Sequence, residues 1–450
     1  MKLDNNVKEA AVAMNRSIAA MLSRGAFLRS VGAAVAGAAG FGGLARPVRA
    51  EKTTAPAGVD VYPSQGFAAL QAAVTAGGVV YVHDTWDLQN TELTIGLGNN
   101  DVEIVGVNAL IQNCSISSQA LVKMKLNNLV LTTNNWYCVD IVQSAGATIT
   151  GCGIRCLDQS QWPIGIASYM WNGVTDVGQT DVRGTLLIEN NIIDGIYGVY
   201  LFETKANVSI SHNTIRNCNN GMSMVLPREG SLNIDGNDLK MIWASAVGSL
   251  LQVSDDLFPS TFSSALIANN QFDCGSCLFA VGCGRWNTQA TPSIVVTKND
   301  VHMDENDWGA FVLHKDCDDT VWANNRVTGK IKLGVCVATF DCPCPPYPRT
   351  HHAMNNVFKS NNFSGAVLDI ADNGIGLIYP DAADYLFDLN ADYNTVIGDA
   401  GEVIDFGIGN TITGSKTLKQ HHEPVGGSAS QAEELIQALK RMYGRRHGPS

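Results

Sequence analysis

Charged side chains are scarce in this chain, and basic ones scarcest. Only 16% of its 450 residues are charged, with 30 Lys and Arg against 42 Asp and Glu, a formal net charge of −12. Residues 1–50 carry seven of the basic residues and two acids, so residues 51–450 hold 23 basic and 40 acidic residues, a net −17. That excludes a nucleic-acid binder, which needs clustered Lys and Arg to neutralise phosphates. Solubility, cation binding, or contact with a polyanion through a bridging metal remain. A membrane-spanning run is missing as well: Val31 to Ala45 is rich in Ala and Gly and too short and too poor in Leu and Ile to span. The twelve cysteines all follow residue 113; Cys274, Cys277 and Cys283, and Cys342 with Cys344, are tightly spaced, but no His partners stand at zinc-site intervals.

The stretch before residue 51 reads as an export signal. A basic, polar segment ends at Ser23-Arg24-Gly25-Ala26-Phe27-Leu28-Arg29, the weakly apolar run follows, and small residues at Val48 and Ala50 suit cleavage before Glu51. The Ser-Arg-x-x-Phe-Leu-Arg phrase resembles the bacterial twin-arginine signal, with Gly25 where that pattern has its second Arg. The expected location is therefore the periplasm or the extracellular space of a bacterium. An even number of cysteines in such a chain permits disulfides.

What the chain has in abundance is a short repeated phrase: an apolar residue, two variable ones, Asn, one variable residue, another apolar residue. It occurs around Asn191, Asn213, Asn237, Asn270, Asn299 and Asn325, and more weakly around Asn361 and Asn394, at steps of 22, 24, 33, 29, 26, 36 and 33 residues. Asn134 fits the same phrase, and Cys114 and Cys152 fit it with Cys in the Asn slot. Repeats of this length with variable steps mean a solenoid of fixed rungs and unequal loops. About eleven rungs, at ~4.8 Å each, give a stack roughly 50 Å long. A second phrase follows each Asn, Gly-apolar-x-apolar, as in Gly198-Val-Tyr-Leu201, Gly221-Met-Ser-Met224, Gly309-Ala-Phe-Val-Leu313 and Gly334-Val-Cys-Val337. Each rung then holds about three short strands, with Asn at one tight bend, where it tolerates a left-handed backbone and its amide can bond to its neighbours along the stack.

The expected organisation is an export signal over 1–50, an N-terminal segment and capping helix over 51–78, the solenoid over 79–418, and a linker with a C-terminal amphipathic helix over 419–450. Phe67, Leu70 and Val74 share one face of the first helix, which Gly77-Gly78 stops. Such a helix covers the open end of a repeat core. Ser430-Gln-Ala-Glu433 opens the terminal helix as a capping box, and Leu435, Ile436, Leu439, Met442 and Tyr443 form its apolar stripe, suited to a second cap or a partner. The segment 157–182, with Trp162, Tyr169 and Trp171, reads as a long aromatic loop.

These phrases resemble the short repeats of the right-handed parallel β-helix family, the pectate-lyase-like superfamily. The resemblance spans most of residues 79–412. It implies an all-β, right-handed parallel β-helix with an asparagine ladder between its second and third strands. It also implies a polysaccharide substrate lying over the first-strand sheet, which the Gly-apolar-x-apolar phrases match. Its activity motifs are mostly missing. Of the four phrases of polygalacturonases, Gly329-Lys-Ile-Lys332 echoes one and Asp318-Asp319 another; the Arg-x-Pro-x-x-Arg phrase of pectate lyases and the Asp-Pro-His phrase of alginate epimerases are absent. The fold transfers without a particular activity.

On that frame the outward positions of the first sheet are Tyr200, Ser223, Ser249, Phe279, Phe311 and Cys336. The loops after them bring Glu203 and Lys205, Arg228 and Glu229, Asp255 and Asp256, Arg285 and Trp286, then His314, Lys315, Asp316, Asp318 and Asp319. Tyr200, Phe279, Phe311, Trp286, Lys205 and Arg228 are the expected substrate contacts, because sugar rings stack on aromatics. For a uronate lyase, Lys315 or Arg285 abstracts a proton while Asp316, Asp318 and Asp319 hold Ca²⁺, the one cofactor suggested. For a hydrolase, two of those Asp are acid and base. His314 completes the cluster. An ordinary polar turn between rungs explains the same residues. The function expected is thus an exported polysaccharide-active lyase or hydrolase, or a non-catalytic glycan-binding or assembly β-helix. Cys138 and Cys156 stand at one offset past Asn134 and Cys152, which predicts a disulfide or a stacked pair of buried thiols.

Overall fold

Strands of three to nine residues, alternating buried and partly exposed positions, pair in parallel with the strand one rung away rather than with a hairpin neighbour. The structure is a computed structural model. It describes residues 58–158, 163–168, 180–225, 227–242, 245–253, 260–277, 279–286, 293–306, 309–314, 317–331, 333–338, 353–368, 383–387, 391–398, 401–405 and 407–413. The expected export signal, the aromatic residues Trp162, Tyr169 and Trp171, and the expected C-terminal helix lie outside the described residues. The architecture is a parallel β-helix with three faces. Face A includes Gly146–Thr150, Asp181–Glu189, Lys205–Ser211 and Ser231–Asp235. Face B includes Gly153–Cys156, Ile192–Asp194, Thr214–Arg216 and Asp238–Ile242. Face C includes Tyr137–Ser144, Ile164–Ser168, Tyr197–Phe202 and Asn220–Val225. Two long strands, Gly78–Ile95 and Val102–Gln119, bend through all three faces and start the stack one rung before the first that the repeat marks.

Stacking puts like residues on like. On face C the inward line runs Ile116, Val139, Ile166, Val199, Met222, Val247, Val281, Phe311, Val335 and Tyr385, each in register with the next. On face A, Ile149, Ile188, Ile210, Ile234, Ile267, Val296 and Trp322 do the same. Removing each such side chain from water contributes roughly 1.5–3 kcal/mol. The first helix, Phe67–Ala76, covers the open end as expected, with Leu70 and Val74 in the core. Gln71 also closes the exposed strand edge: its amide donates to the Thr94 carbonyl (2.8 Å) and accepts from the Thr94 N–H (3.0 Å). Among the described residues no helix is long and apolar enough to cross a membrane.

The asparagine ladder lies between faces A and B. Each Oδ1 of Asn213, Asn237, Asn270, Asn299, Asn325 and Asn361 accepts from both the backbone N–H and the amide of the Asn one rung before, at 2.9–3.1 Å. Each amide donates its other hydrogen to a face A carbonyl, as Asn237 does to Ile210 (2.8 Å). Three expectations change here. The left-handed residue is not the ladder Asn but the one before it: Asn190, His212, Gly236, Asn269, Lys298, Asn324 and Ser360 all have φ between 53° and 63°. Asn394 belongs to a second ladder, Thr320–Asn356–Asn394–Asn410, at the corner leading into face A. Of the substituted rungs only Cys152 sits in the first ladder, its N–H donating to Asn191. Cys114 pairs with Thr91 at the start of face C, and Asn134 is exposed and bonds Asn113. Leu131 pairs with Ile154 on face B, so the apparent phrase around Asn134 is a third of a turn out of phase.

That phase error also removes the expected Cys138–Cys156 disulfide and their shared register position, while both remain buried thiols with Cys156 close enough to act on Cys138. Cys156 opposes Thr133 on face B, whereas Cys138 begins face C. The nine cysteines whose side chains are described are buried thiols rather than disulfides. Burial pushes Cys114, Cys152 and Cys156 up from 9.0 to about 12, and Cys138 and Cys218 upward too. The folded chain therefore keeps these protons where the unfolded chain loses them, so stability falls as pH rises from about 9 towards about 12. Urea unfolding at pH 8 and pH 10.5 checks this. The wild-type midpoint drops between the two, and Cys152→Ala, weaker at pH 8, shows a shallower drop; an equal slope contradicts the assignment. Asn237→Ala removes the acceptor of two buried donors and the donor to Ile210. At roughly 1–3 kcal/mol per orphaned buried group, the cost is about 2–5 kcal/mol, read as a fall of several degrees in the thermal midpoint; an unchanged midpoint rules it out.

Candidate functional site

The outer surface of face C changes character along the stack. In its later rungs the line Gly282, Val312, Cys336 and Leu386 is in register and, apart from Gly282, apolar; with Phe279, Leu333, Ala383 and Ile404 it forms a second hydrophobic cluster, separate from the core. Phe279 points outward as expected, but its ring lies on Gly282 and it is only 7% exposed. Phe311 is corrected outright: it is fully buried in the core, its ring 5.5 Å from that of Trp322. Irregularities of register after Met222 and Val247 shift the chain, so counting in twos from Tyr200 reaches the wrong face by that rung.

The expected charged edge is divided in the same way. Asp318 turns back into the stack, its carboxylate accepting from the Met354 N–H (2.7 Å), while Asp319 is exposed in a left-handed turn. Lys315 and Asp316 lie outside the described residues; for Arg285, Trp286 and His314 the backbone strand is described and the side chains are not. Among the described residues no three His, Cys, Asp or Glu gather as a metal site. Arg228 is buried against Glu203 in an ion pair, and Lys205 pairs with Asp181, which also holds Arg183. Arg183 and Lys205 hold the Asp181 carboxyl below its usual range. These cations are occupied by the scaffold rather than presented over face C.

In its earlier rungs face C is polar, and here the structure assembles residues that the repeat did not mark. Tyr137 donates its hydroxyl to Glu92, two rungs away, at 2.5 Å. Glu92 also accepts from Gln119 (3.0 Å) and Thr94 (3.3 Å). Asn135 donates to Ser115 (2.8 Å), whose hydroxyl donates to the Tyr137 carbonyl. Asp140 stands in register with Ser117 and Ala167, only 3% exposed. Burial first, then the hydrogen bond to Glu92 and the negative charges of Glu92 and Asp140, push the Tyr137 phenol upward, so it remains a proton donor. Further along the same strip Tyr200, in register with Ala167 and Ser223, meets Tyr197 edge to face with ring centroids 5.8 Å apart. Ser245 donates to Asn220 at 2.5 Å beyond them. The strip from Glu92 to Ser245 crosses seven rungs, about 29 Å at ~4.8 Å per step. It offers carboxylates, amides, hydroxyls and an aromatic pair in one line.

A second concavity, of about 270 Å³, lies on the outside of face B among Gln271, Asp273, Asp300, His302, Arg326 and Thr328. Its groups satisfy one another: Arg326 donates to both oxygens of Asp300 (3.1 and 3.2 Å), and His302 bonds Thr328 (3.1 Å). Its lining has no outward aromatic ring, Phe272 being buried in the core. The face C strip is the better candidate.

No family model and no curated protein matches this chain. Among solved structures, the catalytic domain of Agl-KA superposes with a TM-score of 0.54 at 15% identity, over 84% of this chain and 69% of that one. The A-module of mannuronan C-5 epimerase AlgE6 from Azotobacter vinelandii gives 0.43 at 12% identity, over 78% and 94%. A mannuronic-acid-specific polysaccharide family 6 lyase from human gut microbiota gives 0.38 at 12% identity, over 84% and 94%. The likeness is one of fold.

Two substitutions separate scaffold charges from surface ones. Glu203→Ala removes the carboxylate that the buried Arg228 guanidinium faces and lowers stability by about 3–5 kcal/mol. Lys205→Ala, at a partly exposed pair, changes it by about 1 kcal/mol or less. Urea denaturation of both variants tests the contrast; equal effects contradict it.

Proposed function

We propose that this chain is an exported polysaccharide-acting β-helix protein whose site is the polar strip of face C, and that its chemistry is hydrolysis of a glycosidic bond. One observation carries the reading: Glu92 and Asp140, on the same strip, flank Tyr137, with the Tyr197–Tyr200 pair further along the line. Glu92 accepts three donors and so is set as the carboxylate that takes a proton from water. The proton donor to the glycosidic oxygen is then Asp140. The water oxygen bonds to the anomeric carbon as the bond to the leaving sugar breaks, and that sugar leaves with the proton from Asp140. The two residues stand two rungs and two strand positions apart, about 12 Å between backbone positions, so the arrangement proposed is the wide, inverting one rather than the close pair of retaining enzymes, roughly 5 Å. The family-level resemblance of the repeats supports a glycan as the ligand. Calcium at Asp316, Asp318 and Asp319 stays a separate proposal, tested by adding and chelating the ion.

Glycan binding without cleavage is a second reading, favoured by the burial of Asp140: a carboxyl at 3% exposure reaches a substrate only if a neighbour such as Tyr137 turns aside. Incubation with a panel of neutral and acidic polysaccharides, following reducing ends, separates the two. Hydrolysis predicts release that Glu92→Gln and Asp140→Asn each reduce by about 10²-fold or more. Retention of a polysaccharide with no release supports the binder; neither result removes the strip as a glycan site.

A further inference from the structure

The distribution of charge around face C bears on the class of glycan, provided that the strip is the glycan site. In the last part of the strip, between Thr204 and Ser245, Lys205 lies on face A, Arg216 and Lys240 lie on face B, and Arg228 is buried against Glu203. From Thr53 to Thr204 the chain has four Lys and Arg: Lys123, Lys125, Arg155 and Arg183. Register assigns every one to another face. Lys123 and Lys125 pair with Gly146 and Thr148 on face A, and Arg183 with Lys205 on the same face. Arg155 pairs with Thr132 and Asp194 on face B. His83, the one imidazole in the stretch, lies on face A and bonds Asp60 at 2.7 Å. The segments that lead into and out of the early face C strands are cationless in sequence as well, including 156–163 and 169–180. The same stretch places Glu92 and Asp140 on the strip itself.

We infer that the polysaccharide taken by face C is uncharged. A polyuronate or sulfated chain laid along the strip brings one or more negative charges per sugar against the fixed Glu92 carboxylate. Among the described residues of these rungs no cation faces it, and the partly buried setting weakens solvent screening. Each sugar carboxylate would also lose water without gaining a charged partner. Neutral sugar hydroxyls meet the opposite situation. They donate to Glu92, exchange hydrogen bonds with Asn135 and Ser223, and present their C–H faces to Tyr200. Abstraction of a proton beside a uronate carboxylate needs that carboxylate neutralised first, and the described early rungs of face C supply no Lys or Arg to do so. The uronate-lyase expectation thus gives way to a neutral glycan at this site.

Affinity electrophoresis of the full chain tests this. The gels contain either neutral polysaccharides (β-glucan, α-glucan, xylan, mannan) or acidic ones (polygalacturonate, alginate), with and without Ca²⁺, at about 10 and 300 mM NaCl, concentrations that bracket strong and weak screening. The expected result is retardation in at least one neutral gel, unchanged by salt and reduced at least tenfold in apparent affinity by Tyr200→Ala, with no retardation in the acidic gels. Retardation by an acidic polysaccharide that Tyr200→Ala weakens, whether or not Ca²⁺ is needed, overturns the inference while leaving face C as a glycan site. Retardation that Tyr200→Ala leaves untouched, or none in any gel, overturns the inference together with the reading of the strip.

Discussion

One hydrogen-bond arrangement at one corner sets the geometry of the rest. At each rung from 213 to 361 an asparagine carbonyl oxygen takes two donors from the previous rung, and its amide bonds a face A carbonyl. A bend between two strands leaves peptide groups that neither strand can pair. Buried in the stack they would each cost about 1–3 kcal/mol, so the ladder side chain supplies the missing partners. Because donors and acceptors pass from rung to rung, the corner is fixed in register, and the strands on either side can stack apolar residues on apolar residues. The residue before each ladder Asn takes the left-handed conformation; it tolerates Asn, His, Gly, Lys or Ser because it points outward. Strain and hydrogen bonding are thereby divided between two adjacent positions.

The same economy explains why the outer faces differ. The core lines are uniform along the stack, since every rung closes on the same interior. The outside is free to vary, and on face C it does: polar over the early rungs, a second apolar cluster over the later ones. The proposed glycan site lies on the polar part. Among the described residues Glu92, Tyr137, Asp140, Tyr197 and Tyr200 stand on the early part of face C, Asp384 is a carboxylate of its later part, and the cations of the early region are turned to the other two faces.

Much of the fold was legible in the sequence because the ladder phrase is local. Asn191, Asn213, Asn237, Asn270, Asn299, Asn325 and Asn361 each carry their apolar neighbours at fixed distances, and the first helix carries Leu70 and Val74 at helical spacing with a Gly-Gly stop. Where the phrase is imitated by other corners, the reading slipped. Asn394 has the right neighbours but precedes its face A strand instead of following it. The phrases around Cys114 and Asn134 run from face B to face C. The outward line read from the sequence begins at Tyr200, so it does not reach the early rungs where the candidate site lies. Glu92 and Tyr137 are 45 residues apart and share no motif.

By itself the sequence determined the period, the inward residues, the asparagine corner and the capped first rung, since each depends on residues within a few positions of one another. Only the tertiary structure decided which corner each near-copy of the phrase occupies, that Phe311 faces the core, that Arg228 is consumed by Glu203, and that Glu92, Tyr137 and Asp140 meet. The physical reason is the unequal loops and the register shifts after Met222 and Val247. Loops absorb added residues, but a change of one residue within a strand turns the following side chains to the opposite face, and neither kind of change is marked by a local phrase.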